Sequence, residues 1–311
     1  MKRKTYRKKR TLKRSKRIVK KQGTQKVINH GLKKLNCSPK PKDEINNFTC
    51  YTDRSLFKMR DLWNARHPDA KIETNDTKEI HSSLSNYFRG VCNKESCWLT
   101  KIPGASYRDM EETFAPESPA EWSTNPNEWL TSVDIMKVMK QYERAYKCFD
   151  FIGPSPIDFD TRKLYGDCVW EELCNFNLAE QIKNNKTKIG IIFNTDPHDK
   201  PGQHWISMFI NIKKRTISFF DSVGDKAPPQ VMALVDRIIK QGHQMSPKIN
   251  MKFDQNHPIE HQYGTTECGI YSLFFIVHLL EDKITEHYMK THILKDAYME
   301  NFRKIYFNES L

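Results

Sequence analysis

The stretch Gln262-Tyr-Gly-Thr-Thr-Glu-Cys268-Gly269-Ile-Tyr-Ser-Leu-Phe-Phe-Ile-Val-His-Leu-Leu-Glu281 joins a polar, glycine-bearing loop to a run that is apolar nearly all round. A helix with no polar face belongs in the middle of a core. Cys268–Glu281 is therefore expected to be a buried helix with Cys268 at its N-terminus. Unpaired amides and the helix dipole at that position favour a thiolate. Gly269 would let a substrate carbonyl approach without a side-chain clash. Taken alone, the segment fits a small buried cysteine in a core helix better than a nucleophile.

Three runs upstream read as strands: Lys188–Asn194, His204–Ile212 and Thr216–Asp221. The second is apolar on both faces, as expected of a central strand. Lys213-Lys214-Arg215 forms a short turn between the second and third. His204 opens one strand of this hairpin and Asp221 closes the other, nine residues before and six after the turn. A modest register stagger sets them side by side, the geometry of a carboxylate-oriented imidazole. Gln262, six residues before Cys268, carries an amide able to donate to an oxyanion together with the Cys268 backbone N–H. Helices are expected over Glu128–Tyr146, Tyr165–Ile182 and Pro228–Gln241, a chain break at Gly153-Pro154-Ser155-Pro156, and a short strand over Ile249–Phe253. Helices flanking a mixed sheet make the class α+β.

Each of these features is weak alone. Their order of His, Asp, Gln and Cys resembles the ubiquitin-like-protein-specific proteases, through His204-Trp205, Phe220-Asp221-Ser222 and Gln262 with five residues between it and Cys268-Gly269. That clan takes in SUMO-removing enzymes, the adenovirus maturation protease and the polyprotein protease of African swine fever virus. The resemblance covers roughly residues 120–282. It implies a papain-like core in permuted chain order, a triad of His204, Asp221 and Cys268, Gln262 in the oxyanion hole, and no cofactor or metal. Asn127-Glu-Trp129-Leu130 is similar to the family's Trp-Leu element. By that similarity Trp129 and Trp205 would form a narrow clamp admitting small residues such as Gly-Gly before the scissile bond. Cellular SUMO proteases usually continue Trp-Leu with Asn-Asp; this chain has Thr131-Ser132, which points away from a folded SUMO tail as ligand.

The rest of the chain bounds the reading. Of 311 residues, 38% are hydrophobic, enough for a sizeable core. The net charge of +13 is concentrated at the start. Residues 1–42 carry 18 Lys and Arg and no acid, which leaves 33 basic against 38 acidic residues in 43–311, a net of −5. Like charges repel, so 1–42 is expected to be a flexible tail that solubilises, localises to the nucleus or binds nucleic acid. Residues 43–115 read as a helical accessory region, with helices over Asp53–Arg66 and Lys78–Phe88, and 116–311 as the protease domain. Eight scattered cysteines follow no small-domain disulfide pattern, and no secretory h-region or membrane-length apolar run occurs. Mostly free thiols in a reducing compartment are expected, with no secretion and no membrane partner. A zinc site at Cys92 and Cys97 is disfavoured, since no second ligand pair follows.

The Lys- and Asn-rich composition resembles products of large DNA viruses. The expected activity is cysteine endopeptidase action on viral structural polyproteins, at Gly-Gly-Xaa-like sites during virion maturation, in the virion or host cytoplasm. The alternatives are an isopeptidase that removes ubiquitin or SUMO, and a basic nucleic-acid or virion interaction protein.

Overall fold

The computed structural model describes residues 34–40, 46–105 and 113–309. Residues 1–33 and 41–42, which hold most of the basic tail and the nucleic-acid expectation attached to it, lie outside the described residues. Five strands form one mixed sheet in sequence order: β1 (Phe149–Pro156), β2 (Lys188–Asn194), β3 (Trp205–Asn211), β4 (Thr216–Phe220) and β5 (Lys252–Gln255). The outer pairs β1–β2 and β4–β5 are parallel, and the inner pairs β2–β3 and β3–β4 are antiparallel. The central strand β3 is buried along its whole length.

The two-residue side-chain period of a strand builds two cores. Ile189, Ile191 and Phe193 of β2 face the same way as Ile206, Met208 and Ile210 of β3, and are covered by helix Pro229–Gln244. On the opposite face Ile192, Phe209 and Phe220 pack with three further helices: Ser132–Ala145, Cys268–Leu280 and Asp296–Tyr306. In chain order we label the helices α1 (Asp53–Asn64), α2 (Thr77–Tyr87), α3 (Ser96–Lys101), α4 (Ser132–Ala145), α5 (Glu171–Cys174), α6 (Leu178–Lys183), α7 (Pro229–Gln244), α8 (Cys268–Leu280), α9 (Tyr288–Thr291) and α10 (Asp296–Tyr306). All thirteen residues of α8 except His278 are buried. Each fully buried Leu, Ile or Phe there contributes about 1.5–3 kcal/mol through area removed from water.

The N-terminal region is helical. A third cluster, including Tyr51, Leu56, Ile80, Leu84, Phe88, Trp98 and Phe114, sits among α1 to α3. Thr52 caps α1 by accepting from the Ser55 amide, and Asp76 caps α2 by accepting from the Lys78 and Glu79 amides. This region meets the sheet-bearing region through backbone and amide contacts. Gln141 Nε2 donates to the Phe114 carbonyl at 2.8 Å, and Asn308 Nδ2 donates to the Asn36 and Ala115 carbonyls at 3.1 and 2.9 Å.

Several local expectations need correction. α4 starts at Ser132 rather than near Glu128, because Thr131 and Asp134 form a capping box that fixes the first turn. Gly153-Pro154-Ser155-Pro156 does not break the chain but ends β1. The register against β2 slips between Ile152 and Ser155, and that irregularity accommodates a proline with no amide to donate. The single helix expected over Tyr165–Ile182 is two short ones, α5 and α6, separated by Asn177, whose side chain caps α6. The fifth strand falls at Lys252–Gln255, three residues later than expected.

The reading of mostly free thiols also fails. Cys37–Cys50, Cys92–Cys97 and Cys168–Cys174 are disulfides, with Cα–Cα distances of 5.1, 5.6 and 6.3 Å. Tertiary folding brings these pairs within the span that a disulfide bridges, and spacing along the chain does not reveal it. Cys148 and Cys268 remain free. Among the described residues no helix is long and apolar enough to cross a membrane.

Candidate active site

The site is built where β3 begins, β4 ends and α8 starts. In the β3–β4 pairing Ser207 stands opposite Phe220, which sets His204 and Asp221 diagonally across the mouth of the hairpin. His204 Nε2 lies 2.7 Å from Asp221 Oδ1. With Nε2 held by the carboxylate, Nδ1 is the ring nitrogen left to face Cys268, the other side chain that acts on the imidazole. Burial alone would push the His204 pKa down. The hydrogen bonds and negative charges of Asp221 and Cys268 outweigh it, and the pKa is pushed up to about 10. A protonated imidazole is thus stabilised beside Asp221 and Cys268.

Asp221 is itself tightly held. Its Oδ1 also accepts from the Val223 amide at 3.0 Å. Asn256, almost wholly buried, accepts from the Asp221 amide at 2.9 Å and donates to the Asp221 carbonyl at 2.7 Å. The same Nδ2 donates to the Ile259 carbonyl at 2.8 Å. Asn256 therefore fixes the residue that fixes the histidine. Nothing in the sequence marks it, because its partner lies 35 positions away.

Cys268 is the first residue of α8, and Glu267 offers no side-chain cap. The first backbone bond of the helix runs from the Tyr271 amide to the Glu267 carbonyl at 2.9 Å. The amides of Cys268, Gly269 and Ile270 thus precede the helical ladder, at its positive end. Gly269 also serves packing: a Cβ there would sit 3.1 Å from Leu130 Cβ and 3.3 Å from Trp205 Cδ1, so a larger residue would need these neighbours to give by a few tenths of an ångström.

Gln262 is buried and oriented. Its Oε1 accepts from Ser222 Oγ at 2.7 Å, and its Nε2 donates to the Gly264 carbonyl at 2.9 Å. Nε2 carries two hydrogens and makes one bond among those of the described residues, so the second is available to a developing negative charge. The Gln262 and His261 amides both donate to the Ser222 carbonyl, which ties this loop to the residue after Asp221.

The two tryptophans differ. Trp205 is 8% exposed, and its Nε1 donates to the Leu130 carbonyl at 2.9 Å. Trp129, the residue before Leu130, is 37% exposed. One tryptophan is a fixed wall and the other a surface ring beside it.

The remaining histidines near the site or in the core have structural partners. His261 is fully buried, with Nε2 2.9 Å from the Met289 carbonyl and Nδ1 accepting from the Leu294 amide at 3.2 Å; burial holds its pKa down. His278 stacks on Phe274, and burial pushes its pKa down to about 4. His257 contacts the Gly224 carbonyl and His198 pairs with Asp158. No group of three His, Cys, Asp or Glu among the described residues is arranged to hold a metal ion.

This arrangement can move a proton from a thiol to an imidazole and stabilise the ion pair that results. The profile of the Ulp1 protease family, C-terminal catalytic domain, matches residues 136–310. The chain belongs to the Ulp1 protease family. It is a cysteine peptidase. A protein of Acanthamoeba polyphaga mimivirus whose assigned class is thiol protease is 25% identical over 294 residues, covering 87% of this chain and 92% of that protein. A cysteine protease of African swine fever virus is 27% identical over 252 residues, covering 76% of this chain and 90% of that protein. The crystal structure of an African swine fever virus protease superposes with a TM-score of 0.65 at 20% identity, over 88% of this Ulp1-family chain and 96% of the other. That likeness extends the shared fold beyond the catalytic core into the helical N-terminal region.

Proposed function

We propose that this Ulp1-family peptidase uses Cys268 as nucleophile, His204 as general base and acid, Asp221 as the group that orients His204, and Gln262 as an oxyanion donor. The observation that carries this reading is the His204 imidazole held by Asp221 at 2.7 Å, with the unbridged Cys268 as the other side chain that acts on the same ring. Elimination supports it. A cysteine peptidase needs an unbridged thiol, and the other one, Cys148, adjoins the opposite end of the sheet, where its carbonyl accepts from the Thr187 and Lys188 amides.

His204 takes the Cys268 proton, and the thiolate attacks the scissile carbonyl carbon. A C–S bond forms while the C=O π pair moves onto oxygen. Gln262 Nε2 and the free amides at the start of α8 receive that oxyanion. Collapse breaks the C–N bond, and His204 hands its proton to the leaving amine. Water, deprotonated by His204, then releases the acyl group from sulfur.

The substrate is proposed to be a viral structural polyprotein, cleaved at Gly-Gly-Xaa-like sites during virion maturation in the virion or host cytoplasm. The fixed wall of Trp205 beside Trp129 supports small residues before the scissile bond. The Thr131-Ser132 continuation is occupied with capping α4, which disfavours recognition of a folded modifier.

The test is hydrolysis of a fluorogenic peptide ending in Gly-Gly, with a folded ubiquitin-like fusion beside it, by wild type and Cys268→Ala. Wild type should cleave the peptide, and the variant should lose at least about 10³-fold of the rate. Activity retained in Cys268→Ala would sink the assignment. Cleavage of the folded fusion alone would replace the endopeptidase reading with the isopeptidase one.

A further inference from the structure

The turn from Gln262 to Glu267 carries both the oxyanion amide and the residue before Cys268, and α10 grips it at both ends. At the near end, Asp296 Oδ2 accepts from the Tyr263 and Gly264 amides at 3.0 and 2.8 Å, and Oδ1 accepts from Tyr271 Oη at 3.2 Å. Two helical turns later Arg303 meets the far end. Its Nη2 and Nε donate to the Glu267 carboxylate at 2.7 to 3.0 Å, and Nη2 also donates to the Thr266 carbonyl at 3.2 Å. Seven residues of α-helix put Asp296 and Arg303 on one face, about 10 Å apart along the axis.

Arg303 has a second grip. Nη1 donates to the Glu128 carbonyl at 2.7 Å and the Pro126 carbonyl at 3.4 Å, and Nη2 reaches the Asn127 carbonyl at 3.3 Å. These carbonyls belong to the strap that ends in Trp129. The Trp122 ring covers the guanidinium at 4.5 Å. Arg303 is 5% exposed and Glu267 2%. A buried ion pair of this kind is weak evidence for stability, since apolar side chains of similar volume usually do as well. What arginine alone supplies is a rigid plane of five donors. Here that plane joins two segments that share no strand, one leading to Cys268 and the other to Trp129.

We propose that Arg303 and Asp296 are positioning residues for the peptidase reaction. The face of α10 that carries them sets the distance between the Gln262–Cys268 turn and the strap that ends in Trp129, so that a bound peptide carbonyl meets the thiol and the oxyanion donors together. This rests on the roles proposed above for Cys268 and Gln262. His204 and Asp221 come from β3 and β4 and are held without α10.

The test uses the full chain carrying Arg303→Lys or Asp296→Ala, with wild type and Cys268→Ala as references. Three quantities are read: kcat and KM on the Gly-Gly reporter peptide, the rate of Cys268 alkylation by iodoacetamide, and the melting temperature. Iodoacetamide needs the thiolate and no oxyanion hole. Arg303→Lys keeps the charge opposite Glu267 but loses the fork. It should lower kcat about 10–100-fold and raise KM, with the alkylation rate within about twofold of wild type, because a misplacement near 1 Å costs this much in turnover. Asp296→Ala releases the turn and the Tyr271 hydroxyl but leaves the Trp129 strap held, and should lower kcat about tenfold with KM unchanged.

Turnover and alkylation falling together, in step with the folded fraction, would mean that α10 is only structural. Wild-type kinetics in both variants would equally overturn the proposal. Should Arg303→Lys fail to fold, Asp296→Ala, whose side chain is half-buried, decides the matter alone. Loss of the α10 effect with Cys268→Ala inactive defeats this inference only, whereas peptide cleavage by Cys268→Ala defeats the catalytic reading beneath it as well.

Discussion

The helical N-terminal region and the sheet-bearing region are held together by different kinds of contact. In the first, many polar contacts are short-range, as where the Asn64 side chain bonds the Ile72 backbone eight residues away and Trp63 Nε1 donates to the Ala70 carbonyl seven away, and longer ones such as Thr49 and Tyr51 to Glu95 span 46 and 44 residues. In the second they run far along the chain. Trp205 reaches Leu130 across 75 residues, Asp221 reaches Asn256 across 35, and Arg303 reaches Glu128 across 175. Local contacts order a small helical unit. Distant ones, many of them buried, bring the segments of the site together. Damage to the first should therefore appear as lost stability, and damage to the second as lost chemistry.

Asp221→Asn gives the largest effect by which to sharpen that contrast. It keeps the size of the side chain and its bond to the Val223 amide, but removes the charge that holds the His204 proton. A turnover loss of about 10²–10⁴-fold is expected, with little change in melting temperature. The pH profile carries a sign. His204 has its pKa raised from 6.5 to about 10, so the stabilising interactions of its protonated form are fully present below about 6.5 and lost as pH rises through about 10. The alkaline limb of kcat/KM should lie near pH 10 in wild type and move to lower pH in Asp221→Asn. An unmoved limb would mean that Asp221 does not set the His204 proton.

Trp98→Ala probes the other side of the comparison. Trp98 is fully buried and packs against Tyr51, His81 and Phe88. Its loss should cost about 3–5 kcal/mol in the unfolding free energy of the N-terminal region. The net cost should fall toward the lower end, because its Nε1 has no hydrogen-bond partner among the described residues and removing it relieves a buried donor. Turnover per folded molecule should stay within about twofold, measured by active-site titration. A loss of kcat in still-folded protein would break the contrast. It would then point to Asn308, which joins Asn36 and Ala115 to the end of α10, as a route between the regions.

The sheet was legible in the sequence wherever burial repeated with a simple period. β2 matches its expected span of Lys188–Asn194, and the hairpin of β3 and β4 and the wholly apolar α8 follow closely. His204, Asp221 and Cys268 were legible because each stands at an end of such an element, and the structure bonds His204 to Asp221 and ties Gln262, in the loop before α8, to the neighbouring Ser222. Elsewhere punctuation misled. Proline and glycine at 153–156 suggested a break where a register slip lets a strand continue. α10 was missed, although Met299, Phe302 and Tyr306 recur at helical spacing and are all buried. Asn256, Asp296 and Arg303 were beyond the reach of sequence reading, since their work is to join segments that only the folded chain brings together.

The cysteines provide the smallest expected effect on turnover and the cleanest division between regions. Cys37–Cys50 and Cys92–Cys97 lie in the N-terminal region, with sequence separations of 13 and 5, and Cys168–Cys174 bridges 6 residues before α6. Each closes a short loop. The chain-entropy account then gives about 3 kcal/mol for the first and about 2 kcal/mol for each of the others. A strong reductant should therefore lower the melting temperature of the N-terminal region more than that of the sheet-bearing region. Turnover should hold or rise, because the proposed nucleophile Cys268 is not bridged and works only when reduced. Thiol counting on unfolded protein decides whether the premise is right. Alkylation without reductant should label two cysteines, Cys148 and Cys268, and alkylation after reduction all eight. Eight labelled before reduction would restore the free-thiol reading of the sequence, and the N-terminal region would then depend on its buried aromatic cluster alone.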